Sequence, residues 1–218
     1  MKTSSIFSNE IAINAFTNQI INELNIALRN MPINSSPRMI GDFTQDIIEE
    51  FFRKKLPDTI GTPIQEKFAR RAMADLAFTD IYNNYIIVDV KTHNLDTSFN
   101  MPNLTSVERL ARFYEDDSNY FSVMIIEYAK KNNFFFVSNI FFIPIEFLNW
   151  DCLTIGALGW GQIQIANANT IHINTEQTRK SWMLSMCDVL DIFYPKEKSK
   201  IDKRISYFSN VRNFWESK

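Results

Sequence analysis

The sequence predicts an α/β fold, with strands in the middle of the chain and helices at both ends. Three observations carry this expectation. Apolar residues recur at helical spacing near both termini, and apolar runs separated by turn sequences fill the centre. The 218 residues are 45% hydrophobic, enough to bury a sizeable core as one domain, 1–218, without repeat, low-complexity tract or linker.

In order along the chain, Ile13, Phe16, Ile20, Leu24, Ala27 and Leu28 form a helical stripe over Ile11–Leu28 that stops near Pro32. Residues Asn34–Arg38 read as a polar connector. A second helix is predicted over Asp42–Leu56, with Phe43, Ile47, Ile48, Phe51 and Phe52 inward and Pro57 ending it, and a third over Gln65–Met73. Strand signals at Asp75–Thr79 and Tyr85–Lys91 flank a turn-rich link, the pattern of a hairpin. Thr105–Tyr114 reads as a helix, Tyr120–Ala129 and Phe134–Ile143 as a strand pair, and Gln162–Ala166 as a strand. From Thr178 the chain reads as helical, with a break at Pro195.

Composition excludes several function classes. A net charge of −2 rules out a uniformly basic nucleic-acid binder, though not a local basic groove around an acidic metal site. Five glycines form no phosphate-cradling GxGxxG or Walker sequence. Two cysteines, Cys152 and Cys187, and two histidines, His93 and His172, cannot supply a four-cysteine zinc site or a disulfide framework. A Cys–His nucleophile pair stays arithmetically open beside the simpler account of two core thiols. The opening MKTSSIFSNE has no signal-peptide pattern, and Phe134–Leu148 is interrupted and too short to span a bilayer. The expectation is a soluble, cytoplasmic protein without a membrane partner.

The segment that carries chemistry is Ala74-Asp75-Leu76 followed by Ile86-Ile87-Val88-Asp89-Val90-Lys91. Side chains alternate along a strand, so Asp89 and Lys91 share a face while Val88 and Val90 face the core. A hairpin turning about Tyr82-Asn83 pairs residues whose numbers sum to 165, which sets Asp75 opposite Val90 and beside Asp89 and Lys91. Asp80 is better explained as a turn residue. Two carboxylates offer hard oxygen ligands suited to Mg2+, and an ammonium beside them can position a water or balance developing charge on phosphate. The plainer alternative is a surface strand with two ordinary acids and a lysine.

An acid on one strand, an apolar strand ending Asp89-Val90-Lys91, and a polar loop beyond it resemble the PD-(D/E)xK nuclease superfamily. The longer string Asp89-Val90-Lys91-Thr92-His93-Asn94, with Pro102-Asn103 after it, is similar to the HincII/EcoRV-like branch of type II restriction endonucleases. Weaker matches lie at Gly41-Asp42 to Phe51-Phe52-Arg53, Gln162-Ile163-Gln164 and Thr178-Arg179-Lys180-Ser181-Trp182. Ala74 stands where the superfamily pattern has Pro, and Gln45 is the position closest to the acid that the family's helix often offers.

The resemblance implies a restriction-endonuclease-like core, a mixed central β-sheet flanked by helices. It implies a homodimer that makes Mg2+-dependent double-strand cuts in DNA at a short palindromic site, with blunt ends, and a cognate DNA methyltransferase in the same system. Asp75, Asp89 and Lys91 would be catalytic, with Asp75 and Asp89 as metal ligands and Asn103 at a DNA-contacting position.

The residues suggest further DNA contacts. Thr92, Asn94, Asn100 and Asn103 lie on the loop leaving the catalytic strand. Gln162, Gln164, Asn167 and Asn169 sit in a window, 132–178, that lacks Lys and Arg and holds three of the five glycines. Asn and Gln pair well with adenine, so this segment suggests an A·T-rich site; the alternative is an Asn-rich core strand and its turns. Lys67, Arg70, Arg71, Arg109, Arg112, Arg179, Lys180 and the lysines near the C-terminus could track phosphates or form solvated helix faces. Two other functions fit the same residues: a repair or junction nuclease of the same superfamily, and a non-catalytic nucleic-acid-binding module. The N-terminal helix is a candidate dimer interface, with intramolecular packing as its alternative.

Overall fold

The structure, a computed structural model, describes residues 5–64 and 73–218; the predicted helix at Gln65–Met73, with Lys67, Arg70 and Arg71, falls essentially outside them. Helix α1 (Glu10–Leu28) is capped by the Asn9 side chain, and α2 (Pro37–Lys55) by Ser36. The second helix therefore begins five residues before the expected Asp42. Ser36 at the cap and Pro37 in the first turn make a strong start signal inside the supposed connector.

The strands are β1 (Gly61–Pro63), β2 (Leu76–Asp80), β3 (Tyr85–Asn94), β4 (Asn103–Ser106), β5 (Asn119–Lys131), β6 (Phe134–Pro144), β7 (Leu153–Gly156) and β8 (Gln162–Ile165). Five of them form a sheet in the order β1-β2-β3-β5-β6, in which β3 and β5 run parallel and the other neighbours antiparallel. This is the expected mixed central sheet. The parallel crossover from β3 to β5 carries β4 and the short helix α3 (Val107–Phe113), whose N-cap is Ser106. The predicted Thr105–Tyr114 helix thus starts two residues late, because Ser106 caps it and Asn103–Ser106 pairs as a strand with β8.

Two apolar clusters cover the two faces of the sheet. On one, α1 and α2 pack Phe16, Ile20, Ile48 and Phe52 against Phe78, Val88, Met124 and Phe142. The rings of Phe16, Phe52 and Phe142 meet edge to face at 5.1 and 6.2 Å. The apolar stripe of α1 is consumed here, and Asn25 pairs both its amide groups with the backbone of Val137 on the edge strand β6. On the other face, Ala77, Ile87, Val123 and Ile125 meet Leu110, Ile163, Trp182 and Met186. That cluster joins the central sheet to a second sheet, β4-β8-β7, and to α4 (Arg179–Glu216).

The turns follow the asparagines. Asn132 and Asn133, with φ of 48° and 65°, close the β5–β6 hairpin in the left-handed conformation that Asn tolerates. Asp80 is 4% exposed and accepts hydrogen bonds from the amides of Ile6, Tyr82 and Asn84, so it organises the β2–β3 turn. One expectation fails at the C-terminus: α4 runs unbroken through Pro195. Proline removes one donor without stopping the helix, since the residues before and after it keep helical geometry.

Candidate active site

Asp75 immediately precedes β2, and Asp89 and Lys91 lie on β3. The hairpin register pairs Leu76 with Val88, Ala77 with Ile87 and Phe78 with Ile86, so paired residues sum to 164 and not 165. A one-residue shift turns every side chain to the other face. The pairing ends at Leu76–Val88, and one residue earlier the Asp75 N–H donates to the Val88 carbonyl. The expected register, with Asp75 opposite Val90, is corrected, and the Asp75 charge lies near enough to Asp89 to oppose its ionisation.

The contacts are specific. Asp75 Oδ2 accepts the backbone N–H of Val90 at 2.7 Å, and Oδ1 accepts Nε2 of Gln45 at 3.0 Å. Gln45 sits in α2, so the helix position where the resemblance expects an acid supplies an amide that orients the first carboxylate. Asp89 is 5% exposed; its Oδ1 pairs with Lys91 Nζ at 2.7 Å, while Oδ2 is buried with no hydrogen-bond partner. Burial pushes the Asp89 carboxyl up to about 7, with Lys91 opposing the rise and the nearby Asp75 charge adding to it.

A buried carboxylate oxygen with no donor is the place a cation would fill. Among the described residues no cluster of three or more His, Cys, Asp or Glu side chains could hold a metal ion. The candidate donor set is therefore the two carboxylates of Asp75 and Asp89. That set fits Mg2+, which is commonly held by one or two carboxylates and completes its shell with waters and phosphate oxygens.

Beyond Lys91, His93 repeats the same face of β3 and is 1% exposed. Its Nε2 lies 3.0 Å from Asn169 Oδ1, and its Nδ1 lies 3.5 Å from Glu127 Oε1 on β5. Asn169 Nδ2 donates to the carbonyl of Thr97 and to Asn167 Oδ1, and the Ala168 N–H donates to the carbonyl of Asn100. Two loops, one leaving β3 and one leaving β8, are thus tied together beside the carboxylates. Asn103 and Gln164 are partners in the β4–β8 ladder, and their side chains hydrogen-bond at 2.5 Å. His93 was not singled out in the sequence, although strand alternation from Lys91 places it on this face.

The eight suggested DNA contacts separate in space. Asn100, Asn103, Gln164, Asn167 and Asn169 belong to the tied rim, and Gln162 lies on the same second sheet. Asn94 caps its own turn through Asp96 N–H. Thr92 faces the opposite way: its hydroxyl lies beside Gly41 of α2, where an added Cβ would sit 3.3 Å from it. Gly161, with φ of 135°, adopts a backbone conformation few other residues tolerate, and its carbonyl accepts Val107 N–H.

Other candidates are reassigned. Arg179 is consumed in the fold, donating to Glu146 Oε1 at 3.0 Å and lying over the rings of Tyr114 and Tyr120 at 4.2 and 4.3 Å. Cys152 is a buried thiol whose pKa burial raises, while Cys187 is exposed on α4 and so is not the core thiol expected. The ring of His172 binds Asp151, and the Cys152 thiol meets the carbonyls of Asn149 and His172, so no Cys–His nucleophile pair forms among the described residues.

No family model matches the sequence. The chain is similar to the type II restriction enzyme HpaI of Haemophilus parainfluenzae, 28% identical over a 185-residue alignment that covers 74% of this chain and 70% of that enzyme. This likeness to a site-specific nuclease supports the restriction-endonuclease resemblance that Asp75, Asp89 and Lys91 carry.

Proposed function

We propose that this chain is a Mg2+-dependent type II restriction endonuclease of the PD-(D/E)xK superfamily, of the HincII/EcoRV-like branch. It acts as a cytoplasmic homodimer on double-stranded DNA, beside a cognate DNA methyltransferase, and cuts both strands of a short palindrome to leave blunt ends. The observation that carries this reading is Asp89: a buried carboxylate with one oxygen on Lys91 and the other without a donor, near an Asp75 already oriented by Gln45 and Val90.

In this reading Asp75 and Asp89 hold the cation. When bound, it lowers the pKa of a water and offsets charge on the scissile phosphate. Lys91 keeps one oxygen of Asp89 engaged so that the other faces the ligand, and its ammonium stabilises negative charge as the phosphodiester is attacked. Gln45 holds Asp75 in one rotamer, which keeps the two carboxylates poised before DNA arrives.

The rim formed by Asn100, Asn103, Gln162, Gln164, Asn167 and Asn169 reads the bases. Amide side chains pair bidentately with adenine, and 132–178 offers no Lys or Arg for guanine, so the site is A·T-rich. Asn94 and Thr92 support the loop and strand from behind. The test is digestion of a plasmid of known sequence with Mg2+, followed by sequencing of the ends. Discrete fragments with blunt ends at one palindrome are expected, with cutting lost in Asp75→Asn, Asp89→Ala and Lys91→Ala while DNA binding persists. No cutting by the wild type overturns the nuclease reading, and a purely G·C site overturns the assignment of the rim.

A further inference from the structure

The homodimer of the proposed function needs an interface, and α1, the sequence's candidate, has buried its apolar stripe in its own core. A different surface is unclaimed. Helix α4 is anchored at its start, where Trp182 is fully buried against Trp150, with ring centroids 4.9 Å apart, and Met186 is 3% exposed. Its second half leaves the body. From Asp191 to the C-terminus every residue is exposed except Phe193, Glu197, Ile201 and Val211, which are half-buried.

That half carries large apolar side chains in the open: Ile205 is 62% exposed, Phe208 64% and Trp215 68%. At 100° per residue, Ile201, Ile205, Phe208 and Trp215 lie on one face, in line with Met186 and Leu190 on the anchored half. One stripe therefore begins in the core and continues uncovered. Most helical stability in proteins comes from packing of an apolar face, and an interior proline removes a hydrogen bond from this helix. The arm from Pro195 to Glu216 spans roughly 33 Å at 1.5 Å per residue, about the width of a small domain.

We infer that this arm docks on a second copy of the chain, each protomer's arm lying across the body of the other. Charge selects that occupant. The arm holds Lys196, Lys198, Lys200, Lys203, Arg204, Arg212 and Lys218 against Glu197, Asp202 and Glu216, whereas the whole chain is net −2, so the remaining residues carry an excess of acids. Two arms would repel one another, while arm and body attract. Arg204 and Arg212 lie beside Ile201, Ile205 and Phe208 on the apolar stripe, and the other bases of the arm are spread around the helix. Ile205, Phe208 and Trp215 on the stripe, 62%, 64% and 68% exposed, are the side chains whose burial an exchanged arm gains.

The interface rests on the homodimer of the proposed function but not on its chemistry, so it is tested without DNA or metal. Light scattering after size-exclusion chromatography is expected to give about twice the 25.5 kDa chain mass for the wild type. The double variant Ile205→Glu/Phe208→Glu, in side chains that touch no core, is expected at the mass of one chain. The control Asn210→Glu, on the opposite face, is expected to remain at two. A wild type at one chain mass, or a double variant that stays dimeric, overturns the inference. A wild type that pairs only when duplex DNA is added also overturns it, in favour of an arm that grips DNA. None of these masses depends on cutting, so failure here leaves the nuclease reading to its own assay.

Discussion

Asp89 shows how a single residue trades stability for chemistry. Its folded pKa of about 7 lies above the ordinary value near 4 because burial disfavours the charged form. Between these two values the unfolded chain has released the proton and the folded chain retains it, so Asp89 lowers stability progressively as pH rises through that window, and the full penalty stands above about 7. Asp89→Asn carries no such penalty. Thermal melts without metal are therefore expected to shift in favour of Asp89→Asn between pH 5 and pH 8, by an amount on the order of a few kcal/mol, while cutting is lost. An unchanged difference across that range would refute the buried-carboxylate account. Gln45→Ala removes one donor to Asp75 at a cost of about 1 kcal/mol. It is expected to raise the Mg2+ concentration needed for half-maximal cutting several-fold, with an unchanged melting temperature within a few degrees. That Asp89 and Lys91 share a face of β3 was legible in the sequence because alternation fixes faces along a strand. Gln45 as a partner of Asp75 was not, since the contact joins residues thirty apart through helix packing.

At the scale of elements, α2 does two jobs. Its inner face supplies Phe52, 2% exposed and ringed by Phe16, Phe78 and Phe142, and its first half delivers Gln45 to the site. Phe52→Ala leaves a cavity between helix and sheet and is expected to cost about 3–5 kcal/mol in urea denaturation. Because the same helix orients Gln45, activity per folded molecule should fall as well; full activity in the folded fraction would separate packing from positioning. The α1 and α2 stripes, the β2–β3 and β5–β6 hairpins and the β8 strand could be read from periodicity and turn residues. The strand β7 and the pairing of β4 could not. Leu153–Gly156 and Asn103–Ser106, four residues each like β8, pair as strands through β8 lying between them, a long-range contact that local spacing does not record. Pro195 misled for a related reason: its cost is local, whereas the helix around it is set by the residues on both sides.

For the whole molecule, near-neutral net charge conceals segregation, with a basic arm on an acid-rich remainder and a candidate-site pair of carboxylates in which the Asp75 charge opposes ionisation of Asp89. Mg2+ should therefore stabilise the folded chain in proportion to its occupancy. A rise in melting temperature with millimolar Mg2+ is expected for the wild type at pH 8 and not for Asp89→Ala. A larger rise at pH 8 than at pH 6 follows from the same titration, since the cation takes the ionised carboxylate. Equal rises in both proteins would place the cation elsewhere. No helix among the described residues is long and apolar enough to cross a membrane.

The sequence by itself determined which residues could carry the chemistry, because residue type limits ligand chemistry and strand alternation puts Asp89 and Lys91 on one side of β3. It also determined the helices and hairpins whose signals are local. Only the tertiary structure decided the register of the β2–β3 hairpin, the reach of Gln45 to Asp75, and the tie from His93 to Asn169. It also decided which of the two terminal helices has apolar surface to spare. These depend on contacts between residues far apart in the chain, whose energies come from burial and packing that no local spacing records.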